Sequence, residues 1–170
     1  MHSNGYTLAR HALLERGGLA LDAHVPELGC TLAEELLRPT RIYVKPVVAL
    51  LDAGLPVHAL AHITGAGLFN LVRTRRALGF DIERWPEPPA IFGLVQCFGN
   101  VAAEEMYGTF NMGIGFALVV GAEGAEAVRA SLERDGLPVH VLGWATDDPE
   151  RTIHFRPRGL VGRQGRFTRG

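Results

Sequence analysis

Residues His58 to Arg73 read H-A-L-A-H-I-T-G-A-G-L-F-N-L-V-R. The segment Val57 to Ile63 alternates and is apolar enough for a buried strand, while Leu68, Leu71 and Val72 fall at helical spacing. Strand, glycine turn and helix are therefore expected in that order, with Thr64, Gly65 and Gly67 at the turn. Glycines at such a junction let the main chain come close to an anion, and the free amides and positive dipole end of a following helix favour negative charge there. Two readings stand for this turn: a cradle for a phosphate or oxyanion, and a plain reversal of the chain.

Outward from this stretch, composition bounds the rest. A chain of 170 residues, 47% hydrophobic and 21% charged, suits one globular domain with a real core. A net charge of -1 gives no global reason to expect nucleic acid or an anionic membrane as partner. Six arginines, Arg151, Arg156, Arg158, Arg163, Arg166 and Arg169, lie beyond the last acidic residue, Glu150. That basic end reads as a solvated, partly frayed terminus, with contact to RNA or a phosphorylated ligand as the other reading. No aromatic-interleaved pattern supports nucleic acid. Two cysteines, Cys30 and Cys97, with no C-x-x-C, argue for a reducing compartment and against zinc. No leader pattern opens the chain and no apolar run reaches spanning length, so a soluble, cytoplasmic protein is expected.

Along the chain, Ser3 or Asn4 is expected to cap a helix through about Arg16, with Leu8, Ala9, Ala12 and Leu13 on one face and Gly17-Gly18 at its end. A domain seldom begins on its first cap, so a preceding segment is expected to be missing. Thr31 and Glu34 form a capping box for a short helix that stops before Pro39. Ile42, Tyr43 and Val44 read as a strand, and Pro46 opens a helix over Val47 to Leu51. Leu78 to Arg84 reads as a strand, W-P-E-P-P as a stiff connector, and Ala90 to Phe98 and Ala102 to Tyr107 as helices. Phe116 to Val120 reads as a strand, Glu123 to Asp135 as an amphipathic helix ended by Gly136, and Val139 to Trp144 as a strand; together they suggest a right-handed crossover. Ile153 to Phe155 adds an edge strand. The sum is one α+β domain of five or six strands with helices between them and no internal repeat.

The chemistry-bearing residues are few. His58 and His62 are four apart on a strand, a separation that fits no H-E-x-x-H metal site. His62, directly before the glycine turn, is the candidate general acid/base or phosphate-facing group, and a core histidine is its alternative. Lys45 is the one lysine among seventeen basic side chains; it reads either as a compact point charge kept for a site or as an exposed strand end. Cys97 reads as a core thiol, and Asn111 as a turn residue when taken without context.

Four stretches in order, H-S-N-G-Y-T-L-A-R, L-R-P-T-R-I-Y-V-K-P, L-A-H-I-T-G-A-G-L-F-N-L-V-R and E-E-M-Y-G-T-F-N-M-G-I-G, closely resemble the C-terminal half of phosphoribosylformylglycinamidine cyclo-ligase, or aminoimidazole ribonucleotide synthetase. The resemblance covers essentially Met1 to Trp144 and weakens in the tail. It implies a mixed β-sheet flanked by helices in α/β/α-type layers, over residues 1–148, followed by an Arg-rich strand and tail over 149–170. It implies ATP-dependent closure of an imidazole ring in purine biosynthesis, with ATP and Mg2+ held mainly by an N-terminal domain that is not in this sequence. The chain begins inside the first family motif, as if truncated. The family usually carries three glycines after the threonine, where this chain has Gly65, Ala66 and Gly67; a methyl at Ala66 is tolerated if its φ is negative.

Carried over by motif, His2, Ser3, Asn4 and Gly5 would lie near substrate at the domain junction. Thr40, Lys45, His62, Thr64, Gly65, Gly67 and Asn111 would line the cleft, with His62 and Lys45 in the catalytic roles and no metal ligand among them. The implied partners are a phosphorylated small-molecule substrate, an ATP-binding domain in cis or trans, and a second copy in a homodimer, with no nucleic acid or membrane. Other readings are a non-catalytic binding or assembly remnant, or a domain of a related enzyme: amidine synthetase, thiamine-monophosphate kinase, selenophosphate synthetase or hydrogenase maturation protein. T-R-I-Y-V-K-P and T-F-N-M-G-I-G favour the cyclo-ligase.

Overall fold

A computed structural model describes Met1 and residues 4–170. His2 and Ser3 lie outside the described residues. The chain opens with α1 (Tyr6–Arg10), which widens without a break into a π-helical turn over His11–Arg16. Ala9, Ala12 and Leu13 are fully buried and pack this helix against a later one, as their spacing predicts. The expected cap is different. Gly5, at φ 74, occupies the cap position with no side-chain bond, while the Asn4 amide is used elsewhere.

A two-residue ladder, β1 (His24–Val25) with β2 (Cys30–Thr31), leads into α2 (Leu32–Leu36). Here the capping box is present as read. Thr31 Oγ1 accepts from Glu34 N at 3.2 Å and Glu34 Oε2 accepts from Thr31 N at 2.8 Å. The strand expected at Ile42–Val44 does not form. Helix α3 (Val44–Asp52) begins there instead, with Pro46 as its third residue, where a missing N–H and a preset φ suit a first turn.

β3 (Val57–His62) runs antiparallel to a later strand, β4 (Gly79–Ile82) comes next, and the proline connector leads to α4 (Ala90–Gly99) and α5 (Ala103–Thr109). β5 (Phe116–Val120) pairs with β3, and α6 (Ala125–Arg134) comes after a single 3-10 turn. β6 (Gly143–Thr146) pairs antiparallel with β4 in a separate five-stranded sheet, so the crossover expected between Phe116 and Trp144 is absent. β5 and β6 belong to different sheets.

The C-terminal residues are not frayed. β7 (Ile153–Phe155) lies at the centre of the five-stranded sheet, parallel to β4, and β8 (Leu160–Arg163) and β9 (Arg166–Arg169) extend it in the order β6-β4-β7-β8-β9. Gln164 and Gly165 both have positive φ, as a two-residue hairpin turn requires. Ile153, Phe155, Leu160 and Phe167 point into the core, and the outward positions carry His154, Val161, Arg163, Arg166 and Thr168. Arg156 holds Asp81, and Arg169 holds Glu104.

The result is an α+β domain containing a mixed sheet. Its main core joins α1, α4, α5 and the inner face of the five-stranded sheet around Phe92, Phe110, Phe155 and Ile91. Ala61, Ala117 and Val119 pack against that core, while Val57, Leu118 and Val120 pack against a second, smaller cluster of Leu50, Val128 and Leu132 from α3 and α6. The β3–β5 pair thus contributes apolar side chains to both clusters, while His58, Leu60 and His62 of β3 stay exposed. Cys97, expected in the core, is exposed on α4. No helix among the described residues is long and apolar enough to cross a membrane.

Candidate functional site

β3 delivers the chain into the glycine turn, and the ladder continues one residue further through Ile63 N, which donates to Gly115 O at 3.0 Å. The turn is closed by Gly67 N donating to Thr64 O at 2.8 Å. Gly67 has φ 52, and a Cβ there would collide with the carbonyl oxygen of Tyr107 at the end of α5. Glycine is therefore required by packing as well as by φ. Ala66 has φ -101, so its methyl is accommodated without strain. Asn70 Nδ2 donates to Gly67 O at 2.9 Å and, at 3.5 Å, to Thr64 O, tying the turn from inside. Asn70 carries no signal in the sequence, because one asparagine after an apolar pair makes no pattern.

The helix expected after the turn does not form. Gly67–Asn70 is a four-residue 3-10 turn with every residue buried. A single tight turn has little dipole to offer, so the helix-end component of the anion argument does not hold here. Its glycine component remains: Gly65 is exposed, and a Cβ built on it would have within 4 Å only Asn4 Cβ, at 3.9 Å.

Asn4 sits beside Gly65, its Nδ2 donating to Thr109 O at 3.1 Å while its buried Oδ1 has no hydrogen-bond partner among the described residues. Gly5 is structural, since a side chain there would strike the Phe110 ring. His2 and Ser3, assigned to the same junction, are outside the described residues. Asn111 is buried; its Oδ1 accepts from Gly113 N at 3.2 Å and shapes the turn into β5. The structure thus gathers Asn4, Thr64 and Gly65 at one point and uses Gly5, Gly67 and Asn111 to hold the backbone around it.

His62 is exposed at the end of β3, so the core alternative for it is excluded. Its ring lies 6.3 Å from Tyr43, edge-on, and 6.1 Å from Phe116, its cross-strand partner, while Tyr43 and Phe116 are 5.1 Å apart. Burial pushes the Tyr43 hydroxyl above its ordinary range, with Arg41 opposing. Lys45 is exposed in the first turn of α3, two residues after Tyr43, and Thr40 is half-buried in the segment before it. Tyr43 and Phe116 are absent from the motif-derived set; their contacts are long-range and have no sequence signature. His58 is exposed at the opposite end of β3, away from His62, and lines a surface groove with Arg75 and Arg76. None of the motif-derived residues lines that groove.

Chemically, the turn offers exposed backbone at Gly65 and a hydroxyl at Thr64, His62 places an imidazole at the end of β3 just before it, and Lys45 carries an exposed ammonium on α3, two residues after the Tyr43 that contacts His62. These suit an anionic ligand and a proton transfer. No group of three or more His, Cys, Asp or Glu able to hold a metal occurs among the described residues.

Residues 1–156 match the family model described as AIR synthase related protein, C-terminal domain. The chain is 45% identical over 153 residues to a phosphoribosylformylglycinamidine cyclo-ligase of Methanobrevibacter smithii, a match covering 90% of this chain and 44% of the relative. A Myxococcus xanthus protein of the same name is 48% identical over 149 residues, covering 84% and 42%. A putative phosphoribosylformylglycinamidine cyclo-ligase of Streptomyces fradiae is 44% identical over 165 residues, covering 95% of this chain and 90% of the relative. Apart from the last, the chain spans less than half the length of these relatives. With its motifs, its fold and these matches in agreement, the chain belongs to the AIR synthase related protein family, as its C-terminal domain.

Proposed function

We propose that this chain is the substrate-side half of a phosphoribosylformylglycinamidine cyclo-ligase, closing the imidazole ring of aminoimidazole ribonucleotide from formylglycinamidine ribonucleotide and ATP in purine biosynthesis. The observation that carries the reading is an exposed His62 two residues before an open glycine turn, with Asn4 beside it, in a chain of this family. Thr64 and the exposed amide of Gly65 bind the substrate phosphate. Lys45, exposed on the first turn of α3, supplies further positive charge to the substrate. His62 moves the proton that ring closure releases from the attacking nitrogen.

ATP, when bound, supplies phosphoryl activation of the formyl-amide oxygen. Holding it takes metal-bridged phosphates and carboxylate ligands. Following the family resemblance, ATP and Mg2+ are assigned to the ATP-binding domain, in cis or trans. The other partners under this reading are the phosphorylated substrate and a second copy of the chain, in the cytoplasm, without nucleic acid or membrane. The related-enzyme readings lose ground to the cyclo-ligase names of the relatives. A free-standing binding or assembly module without turnover remains as a second reading, supported by the Streptomyces fradiae relative of nearly the same extent.

The purified chain is expected neither to hydrolyse ATP nor to form the imidazole product, yet to bind formylglycinamidine ribonucleotide weakly at Thr64–Gly67. Mixing it with a separately expressed ATP-binding domain of a longer relative restores turnover. In that mixture His62→Ala lowers kcat by about 100-fold or more. ATP-dependent cyclisation by the chain alone would overturn the assignment of ATP to the other half. Substrate binding without turnover in any mixture selects the module.

A further inference from the structure

The paired histidines of β3 part company in the fold: His62 joins the glycine turn, and His58 is left at the far end of the strand, about 13 Å away at the usual rise per residue. There an open groove of about 750 Å3 runs between the β3–β5 pair and β6. Its apolar walls are Ala59, Leu78, Val119 and Ala145, and its basic rim is His58, Arg75 and Arg76. The rim is built on a braced loop. Thr74 Oγ1 donates to Arg76 O at 2.7 Å, and Arg151 donates to Thr74 O at 3.0 Å and also to Val72 O. Asp147 engages Arg76 at 3.2 Å between two exposed side chains. Among the described residues neither the Arg75 nor the His58 side chain has a hydrogen bond or ion pair.

The volume lies in the range of small-molecule sites, about 300–1,000 Å3. Apolar walls accept the flat face of an aromatic ring, and unpaired guanidinium and imidazole groups at one edge accept a phosphate. We propose that this groove is a second ligand site, separate from the glycine turn, for a phosphorylated small molecule with a flat apolar body, of the nucleoside monophosphate class. It does not depend on the cyclo-ligase reading.

The test titrates the isotope-labelled full chain with AMP, adenosine and inorganic phosphate while backbone amide resonances are followed by NMR. AMP is expected to shift the amides of His58, Ala59, Arg75, Arg76 and Ala145 saturably. Adenosine and phosphate should each bind at least about tenfold more weakly, because each engages only half of the groove. Arg75→Gln should weaken AMP by about tenfold while leaving any titration at Thr64–Gly67 unchanged, so a failure here is separable from a failure at the turn. The exposed position of Arg75 keeps the variant folded, which its dispersed spectrum verifies. Absence of shifts at millimolar AMP, equal affinity for AMP and either half-ligand, or an unaltered Arg75→Gln titration would overturn the proposal.

Discussion

Gly67 and Ala66 are neighbours in one turn with opposite tolerances. At Gly67 a side chain meets both a left-handed φ of 52 and the Tyr107 carbonyl. Gly67→Ala is expected to cost about 2 kcal/mol or more, read as a lowered urea midpoint. Ala66→Gly should cost only about 0.4–1 kcal/mol, through added freedom of the unfolded chain, and should leave anion binding at the turn unchanged. A second residue-scale effect is acid sensitivity. Arg156 donates to both carboxylate oxygens of Asp81, at 2.8 and 2.7 Å, and this holds the Asp81 carboxyl below its ordinary range. A depressed carboxylate contributes stability that is present above the unfolded value near pH 4 and is lost as pH falls through the folded value. Asp81→Asn should therefore flatten the fall of Tm below about pH 4, by well under 1 kcal/mol once solvent screening of the exposed Arg156 is counted. An unchanged acid limb would show that the pair contributes nothing. The turn glycines were legible in sequence; the oxygen that makes Gly67 indispensable belongs to a residue forty positions later.

Elements were legible where the signal is local. The Thr31–Glu34 box, the Gly136 stop and the apolar spacing of α4 all reside within a few residues, and all three formed as read. Ile42–Val44 failed because β-branched residues favour a strand only when a partner strand is there, whereas Pro46 favours a helix turn unaided. The C-terminal hairpin was obscured by its arginines. Alternate positions of β7, β8 and β9 bury Ile153, Phe155, Leu160 and Phe167, while Arg163 at the end of β8 and Arg166 and Arg169 on the edge strand are exposed, where charge discourages sheet-to-sheet pairing. Phe155 is fully buried in the central strand, against Trp85 and Tyr107. Phe155→Ala is expected to cost about 3–5 kcal/mol in chemical denaturation. A loss below about 1 kcal/mol would mean that the end of the chain is dispensable after all.

At the scale of the molecule, α3 carries an apolar stripe that faces solvent. Val44, Val48 and Leu51, at i, i+4 and i+7, are exposed, as are Ile42 just before the helix and Leu60 on β3. The adjoining face of α3 is already satisfied by Val47 and Leu50, which are buried. The proposed homodimer predicts concentration-dependent self-association through this stripe, visible in sedimentation velocity. Val48→Asp should weaken it by about tenfold or more without lowering Tm, since the residue is exposed. A strict monomer at hundreds of micromolar would remove the dimer from the proposal.

The sequence alone determined the α+β class, most helices, strands β3, β4 and β5, the glycine turn and the family, because each rests on short-range pattern or on long motifs in order. Tertiary structure alone decided which strands share a sheet. β3 and β5 are separated by 53 residues and β4 and β7 by 70, and nothing local states their partners. It also decided that His62 faces solvent between Tyr43 and Phe116, while His58 belongs to another groove. Alternation along a strand places two residues on one face. What covers that face depends on elements far away in the chain, and that packing sets the chemistry open to each side chain.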